Sequence, residues 1–469
     1  MIEKLKMEFK NNILILGFGS IGQAILPLLF RHLTITSSQV IIISKKLEGF
    51  SVAEKFGLTI MPKEVTKENY IALLASTLKQ GDFLLNLSVG ISSLDLINYC
   101  QAHHILYLDT CTEPWAGQYV DKSLSVSSRT NYALREAVLE SKKPKGSTAI
   151  LTHGANPGLV SHFVKQALCN LASDNHLNIN EFNQDNSWAH LAQTLGIKTI
   201  HIAERDSQIS NRAKQPNEFV NTWSVDGLIS EASQPAELGW GTHENHWPED
   251  ANRYSFGSNC AIYLNRSGAS TKVRTWTPSY GSFNGFLITH AEAISIADYL
   301  TIKHGDKVFY RPTVHYAYHP CPDAALSLHE LEGKEGMLQA QNRFLLNDIS
   351  EGTDELGVLL MGNKKGAYWF GSQLSIEEVR ELVPFNNATS LQVAAGVLAG
   401  IMWGIQNPTK GVIEPEQMDH EYILKLALPY LGKVAGYYTN WTPLQDRSTL
   451  FSAKLDQHDP WQFINFRVH

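Results

Sequence analysis

Cysteine is scarce in this 469-residue chain: five residues, Cys100, Cys111, Cys169, Cys260 and Cys321, with no CxxC pair among them. An odd number at these spacings argues against a disulfide framework and a structural zinc site, and it fits a reducing compartment. Charge is sparse too, at 18% of residues, and no basic excess exists: 39 Lys and Arg stand against 46 Asp and Glu, a net charge of −7. Nucleic acid and anionic membrane surfaces are therefore poor partners, whereas a cationic ligand is electrostatically welcome. Internal repeats, low-complexity tracts and long tethering linkers are lacking. What remains is globular: 43% hydrophobic and 10% aromatic residues, in a length that suggests two or three domains.

Two uncharged stretches, residues 13–30 and 386–409, need checking as export or membrane signals. The first contains Gly17, Gly19, Gly22 and Pro27, and no small-residue cleavage site follows, so it reads as strand, turn and helix rather than an export signal. The apolar part of the second, 391–405, is short for a membrane span and reads as a buried helix. The expected location is the cytoplasm.

The first 150 residues alternate between strand and helix patterns. Continuous apolar runs at 12–16, 40–43, 83–87, 105–108 and 148–152 are those of strands buried on both faces of a parallel sheet. Strands separated by helical segments imply an α/β, Rossmann-type doubly wound sheet. The first run opens into Gly17-Phe-Gly-Ser-Ile-Gly22, followed by Ile21, Ala24, Ile25, Leu28 and Leu29 at helical spacing, with Pro27 predicting a kink. A GxGxxG is weak alone; between a strand and a helix it specifies dinucleotide binding. Gly17 makes the tight turn, Gly19 lets the backbone approach a pyrophosphate, and Gly22 lets the helix pack close. The amides of Ser20, Ile21 and Gly22 then face the anion.

The second strand ends in Ser44-Lys45-Lys46 instead of the acidic residue that grips an adenosine ribose. Ser44 can bond a ribose hydroxyl and the lysines suit a 2′-phosphate, a pattern that leans slightly to NADP. Asn86 and Ser88 follow the fourth strand, and Asp109 and Thr110 the fifth, at the edge where a bound dinucleotide passes. Glu113 belongs to the same loop. Beyond residue 155 tryptophans and short Thr/Tyr-rich strands predict a second domain of the α+β kind.

Several segments there carry candidate polar groups: His153-Gly-Ala-Asn-Pro-Gly158, Ile202-Ala-Glu-Arg-Asp206, Asn221-Thr-Trp-Ser-Val-Asp-Gly227, Glu231 and Ile288-Thr-His-Ala-Glu292. Together with Leu16-Gly-Phe-Gly-Ser-Ile-Gly22, Leu108-Asp-Thr-Cys-Thr-Glu-Pro-Trp115 and Tyr438-Thr-Asn-Trp-Thr-Pro443, they resemble the bacterial homospermidine synthases of the saccharopine-dehydrogenase-like group, over nearly the whole chain. The resemblance implies a transferase that makes homospermidine from two putrescines and releases ammonia, with NAD as a recycled hydride carrier. It also implies a homodimer and a division into an NAD-binding domain at 1–153, completed by a returning helix near 385–430. A substrate and dimerisation domain would fill 154–384, with an extension at 431–469.

By the same resemblance Trp223 offers a cation–π face to the ammonium groups of a diamine, and Glu204 and Glu231 hold its two ends. Asn156 and Glu113 line the pocket near the nicotinamide, and Asp354 lies at its far end. His290 fits a general base by its pKa range, a task Glu204 could share; no metal is expected. Two alternatives stand beside this reading. A saccharopine- or carboxynorspermidine-type NAD(P)-dependent dehydrogenase would need a cation aimed at its carboxylated substrate, for which Arg205 and Lys198 are available. A non-catalytic dinucleotide sensor would need neither a base nor a cation pocket.

Overall fold

A computed structural model describes residues 6–142, 146–178, 187–447 and 454–468. Seven strands form one fully parallel sheet in the order Val412–Ile413, Ala149–Ile150, Leu106–Asp109, Phe83–Asn86, Ile13–Leu16, Val40–Ser44 and Ile60–Pro62. The first strand lies between the second and the fourth, so the winding direction reverses beside it and opens a crevice at the carboxyl ends of the strands. All four residues of Ile13–Leu16 are fully buried, which explains their unbroken apolar run. The strand Ile60–Pro62 escaped prediction because it is short and ends in proline, as an edge strand tolerates.

The helix Ser20–His32 continues through Pro27 without interruption. Gly17 has φ +83°, and a Cβ there would lie 2.8 Å from the Leu87 carbonyl oxygen. A Cβ on Gly22 would lie 2.9 Å from the Phe18 ring. On Gly19 it would meet nothing within 4 Å, since that backbone faces the open crevice.

The second domain is built on a ten-stranded mixed sheet. Its centre is the parallel pair Thr199–Asp206 and Thr313–His319, flanked by the antiparallel strands Thr353–Met361 and Ala367–Ser375 on one side and Pro235–Gly239 on the other. After this sheet the chain returns through the helix Ala388–Gln406 to the strand Val412–Ile413, which joins the first sheet beside Ala149–Ile150. The expected apolar helix therefore exists, slightly longer than its pattern. By length and composition it could cross a membrane, but 89% of its apolar window is buried inside the protein.

That burial depends on close approach. A Cβ on Gly396 would stand 2.0 Å from the Gly154 carbonyl oxygen, and one on Gly400 2.6 Å from Leu108 Cδ1. The helix thus packs against the loop that carries Asn156 and against the fifth strand, and so holds the site loops in place. Asn387 caps it by accepting from the Ser390 amide at 2.7 Å. Gly396→Ala should cost about 1–3 kcal/mol by overpacking, read as a lowered chemical-unfolding midpoint; an unchanged midpoint would contradict the contact.

Candidate active site

The crevice opens into a cavity of about 610 Å³ bounded by both domains. The first sheet contributes the glycine turn, Ser44 to Lys46, Leu87 to Val89, Thr110 and Cys111, and the loop Gly154 to Pro157. The second domain contributes Glu204 and Tyr316 from its two central strands, Trp223 and Glu231 from the Thr222–Ser224 turn and the helix Val225–Ser233, and His290 from the turn before the helix Ala291–Tyr299. Residues far apart in sequence thus converge on one volume.

At the nucleotide end the lysines are already paired. Lys45 Nζ lies 2.7 Å from Glu64, and Lys46 Nζ lies 3.8 Å from Glu48 and 3.6 Å from Asp226. Both line the cavity but are engaged by acids, which weakens the composition-based lean to NADP. Ser44, Ser20, Ile21, Ser88 and Thr110 line the cavity as a ribose- and pyrophosphate-binding edge requires. With the open backbone at Gly19 and the uncapped amide end of the helix Ser20–His32, these residues fit a dinucleotide.

Two residues expected at that edge stand behind it. Asp109 is fully buried and accepts from the Thr152 amide at 2.6 Å and the Tyr107 hydroxyl at 2.8 Å, tying the fifth strand to the sixth; burial raises its pKa to about 6. Asn86 is buried as well and takes the Ser88 hydroxyl at 2.5 Å, so it sets Ser88 in place rather than meeting a ligand.

At the other end carboxyls predominate. Glu204 is buried, and its Oε2 accepts from the Tyr316 hydroxyl at 2.5 Å and the Asn156 amide at 2.7 Å. Burial pushes its pKa up to about 8 against these two donors. His290 has Glu231 Oε2 at 2.9 Å from Nε2 and Glu292 Oε1 at 3.1 Å from Nδ1. Burial would pull its pKa down, but the two carboxylates overcome that and hold it well above the usual histidine range. The imidazole is thus kept protonated at neutral pH with both ring nitrogens engaged.

Trp223 is half-buried beside the cavity. Its indole N–H donates to the Tyr318 hydroxyl at 3.2 Å, and Gly227, one turn along, leaves room for the ring: a Cβ there would lie 3.0 Å from Trp223 Cζ3.

Glu113 and Asp354, expected to line the pocket, do not reach its wall. Glu113 turns inward to accept from the Gly90 amide at 3.2 Å and sits 3.6 Å from the Cys111 thiol, its pKa raised by burial to about 8. Asp354 is fully buried behind Thr389, whose hydroxyl donates to it at 2.6 Å. It is the register partner of Asp206, itself buried and bonded by Thr222 at 2.8 Å. Burial raises the pKa of both aspartates. Asp206, Tyr316 and Thr389 were not singled out from the sequence. Strand alternation could have signalled Asp206, two residues beyond Glu204 and hence on the same face.

The candidate cations of a carboxylate-binding site lie elsewhere. Arg205 points to the opposite face of its strand, over the rings of Tyr280 at 4.7 Å and Phe283 at 5.9 Å, and Lys198 pairs with Asp459 at 2.9 Å. Among the described residues that line the cavity, no arginine occurs, and the only lysines are Lys45 and Lys46.

A doubly wound dinucleotide sheet closed by a mixed-sheet domain that brings acids and an acid–base pair to its crevice defines a two-domain nicotinamide-dependent enzyme of the saccharopine dehydrogenase kind. The saccharopine dehydrogenase NADP binding domain model matches residues 13–150, and the saccharopine dehydrogenase C-terminal domain model residues 154–439. A homospermidine synthase from Mesorhizobium japonicum is 48% identical over 98% of this chain and 97% of its own length. One from Blastochloris viridis is 49% identical over 97% of each. The crystal structure of the homospermidine synthase from Legionella pneumophila in complex with NAD superposes with a TM-score of 0.94 at 54% identity, covering 99% of both chains. The chain belongs to the homospermidine synthase family. Apo saccharopine dehydrogenase (L-Glu forming) from Saccharomyces cerevisiae, at 10% identity and a TM-score of 0.51 over 91% of this chain and 99% of its own, shares the fold alone.

Proposed function

We propose that the cavity makes homospermidine from two putrescines and releases ammonia, with NAD as a hydride carrier that is regenerated in each cycle. The observation that carries this reading is the acid-rich, arginine-free wall opposite the glycine turn. A diamine is a dication at neutral pH and needs carboxylates and an aromatic face, whereas the carboxylated substrates of the related dehydrogenases need a cation there.

NAD, when bound, takes a hydride from the carbon that bears one amine and returns it to the new carbon–nitrogen double bond. The remaining work falls to this chain's side chains. Glu204 takes the proton that the reacting amine must lose before hydride removal. The imidazolium of His290, held by Glu231 and Glu292, supplies a proton to the departing amine, so that ammonia leaves as the second diamine adds. Atoms balance: two putrescines give one homospermidine and one ammonia, with no net redox change. Trp223 covers an ammonium group, Glu231 faces the other end, and Asn156 fixes the Glu204 carboxyl. Glu113 and Asp354 stand behind the wall as buried acids whose ionisation burial opposes. Ser44, Ser20, Ile21, Ser88 and Thr110 would hold the dinucleotide. The homodimer and the cytoplasmic location belong to the same proposal; the former rests on the family resemblance and is tested by light scattering, the latter on the cysteine pattern and the reading of the two uncharged stretches.

Putrescine with a trace of NAD should yield homospermidine and an equal amount of free ammonia, without NADH accumulating. One NADH consumed or formed per product would point to a dehydrogenase instead. Trp223→Ala should lower kcat/KM for putrescine about 2- to 30-fold, the range of one cation–π contact, with NAD affinity intact; unaltered kinetics would exclude the contact. Since a carboxyl with its pKa near 8 is protonated below that pH, kcat/KM should rise with pH through about 8. Glu204→Gln should flatten that limb, and a limb that persisted would remove Glu204 as the base.

A further inference from the structure

We infer that Tyr316 is a positioning residue that sets the basicity of Glu204 and fixes the spacing between this base and the His290 acid. The inference rests on the role proposed above for Glu204. It comes from a hydroxyl and a ring used in two directions at once. The hydroxyl of Tyr316 donates to Glu204 Oε2 at 2.5 Å, and the Asn156 amide donates to the same oxygen. Oε1 receives no hydrogen bond from the described residues, so one oxygen is anchored while the other serves the cavity. The ring of Tyr316 lies 4.4 Å from the His290 ring at 37°, and 5.1 Å from the Tyr318 ring, nearly parallel at 10°. Tyr318 in turn holds the Trp223 indole.

Strand alternation explains the arrangement. Tyr316 and Tyr318 are two apart on Thr313–His319 and so share a face, and Tyr318 is the register partner of Glu204 on the neighbouring parallel strand. A single stack of two tyrosines therefore touches the base, the acid and the indole. Tyr316 is only 2% exposed, too deep for its hydroxyl to be replaced freely by solvent.

The groups that act on Glu204 are few. Asp206 on its own strand and Asp354 on the flanking strand oppose its ionisation. Tyr316 and Asn156 favour it by hydrogen bonds, and His290 favours it by charge. Glu231 and Glu292 act on it through the charge they neutralise on His290. Removing the Tyr316 hydroxyl deletes a donor that stabilises the charged form only, which is the condition for a raised pKa.

Tyr316→Phe keeps the ring against His290 and removes the hydroxyl. Its rising limb of kcat/KM should move upward by about one pH unit. At pH 7 that is roughly a tenfold loss, shrinking to less than about twofold near pH 9.5. A merely structural tyrosine would lower activity by the same factor at every pH. In a Glu204→Gln background the same change should leave the profile where Glu204→Gln alone puts it. Tyr316→Leu, which also removes the ring from His290, should displace the falling limb as well. Circular dichroism and NAD titration of each variant establish that the fold and the nucleotide site survive. A Tyr316→Phe enzyme that makes homospermidine with an unshifted limb overturns the inference and leaves the function standing. Failure of the unaltered enzyme to release ammonia from putrescine overturns the function itself.

Discussion

A carboxylate removed from water must be neutralised, bonded or protonated, and this site withholds the easiest remedy. Glu204, Asp206 and Asp354 are buried together, and among the described residues their hydrogen bonds come from the neutral donors of Thr222, Gln208, Thr389, Tyr316 and Asn156. Burial opposes their ionisation, so negative charge develops at the cavity wall most readily when a cation stands against it. Such a wall is costly alone and favourable with a cation against it, so the free energy of substrate binding includes relief of that cost. Every other feature of the second domain serves it: the central parallel strands aim the acids inward, and Arg205 is turned to the far face of its strand.

The acid and base of the site are separated by environment rather than by residue type. A histidine would ordinarily titrate near neutrality and a glutamate well below it. Here the order of service is inverted, because Glu231 and Glu292 load the imidazole with a proton while burial makes the Glu204 carboxyl reluctant to lose one. Titratable pairs whose roles are set by environment in this way mark acid–base chemistry at neutral pH.

The fold was largely legible. Unbroken apolar runs identified the central strands because those strands are covered on both faces, and the glycine spacing identified the nucleotide turn because Gly17 and Gly22 each answer a steric demand at a named atom while Gly19 leaves its backbone open to the crevice. The edge strands Ile60–Pro62 and Val412–Ile413 were not legible: they are two or three residues long and carry little pattern. Within the site, residues facing the cavity from motif segments, such as Asn156, Trp223 and His290, could be named from the sequence. Their depth could not. Glu113 and Asp354 sit behind the wall because a hydrogen-bond donor beneath each draws it inward, and sequence spacing carries no record of such a donor. The direction of proton transfer at His290 depended on Glu292, two residues away, and on Glu231, which only the fold brings near.

The return of the chain to its first sheet also affects how the molecule is made. The strand Val412–Ile413 supplies the outer rung beside Ala149–Ile150, yet a ribosome releases it after nine of the ten strands of the mixed sheet, with only Lys433–Thr439 still to come. During synthesis the early sheet waits with that rung open, and the buried helix Ala388–Gln406, which clamps the Gly154 loop, arrives at the same late moment. The cofactor crevice and the substrate wall are therefore both completed only by the last part of the chain, the crevice side by the returning helix and the mixed sheet by Lys433–Thr439.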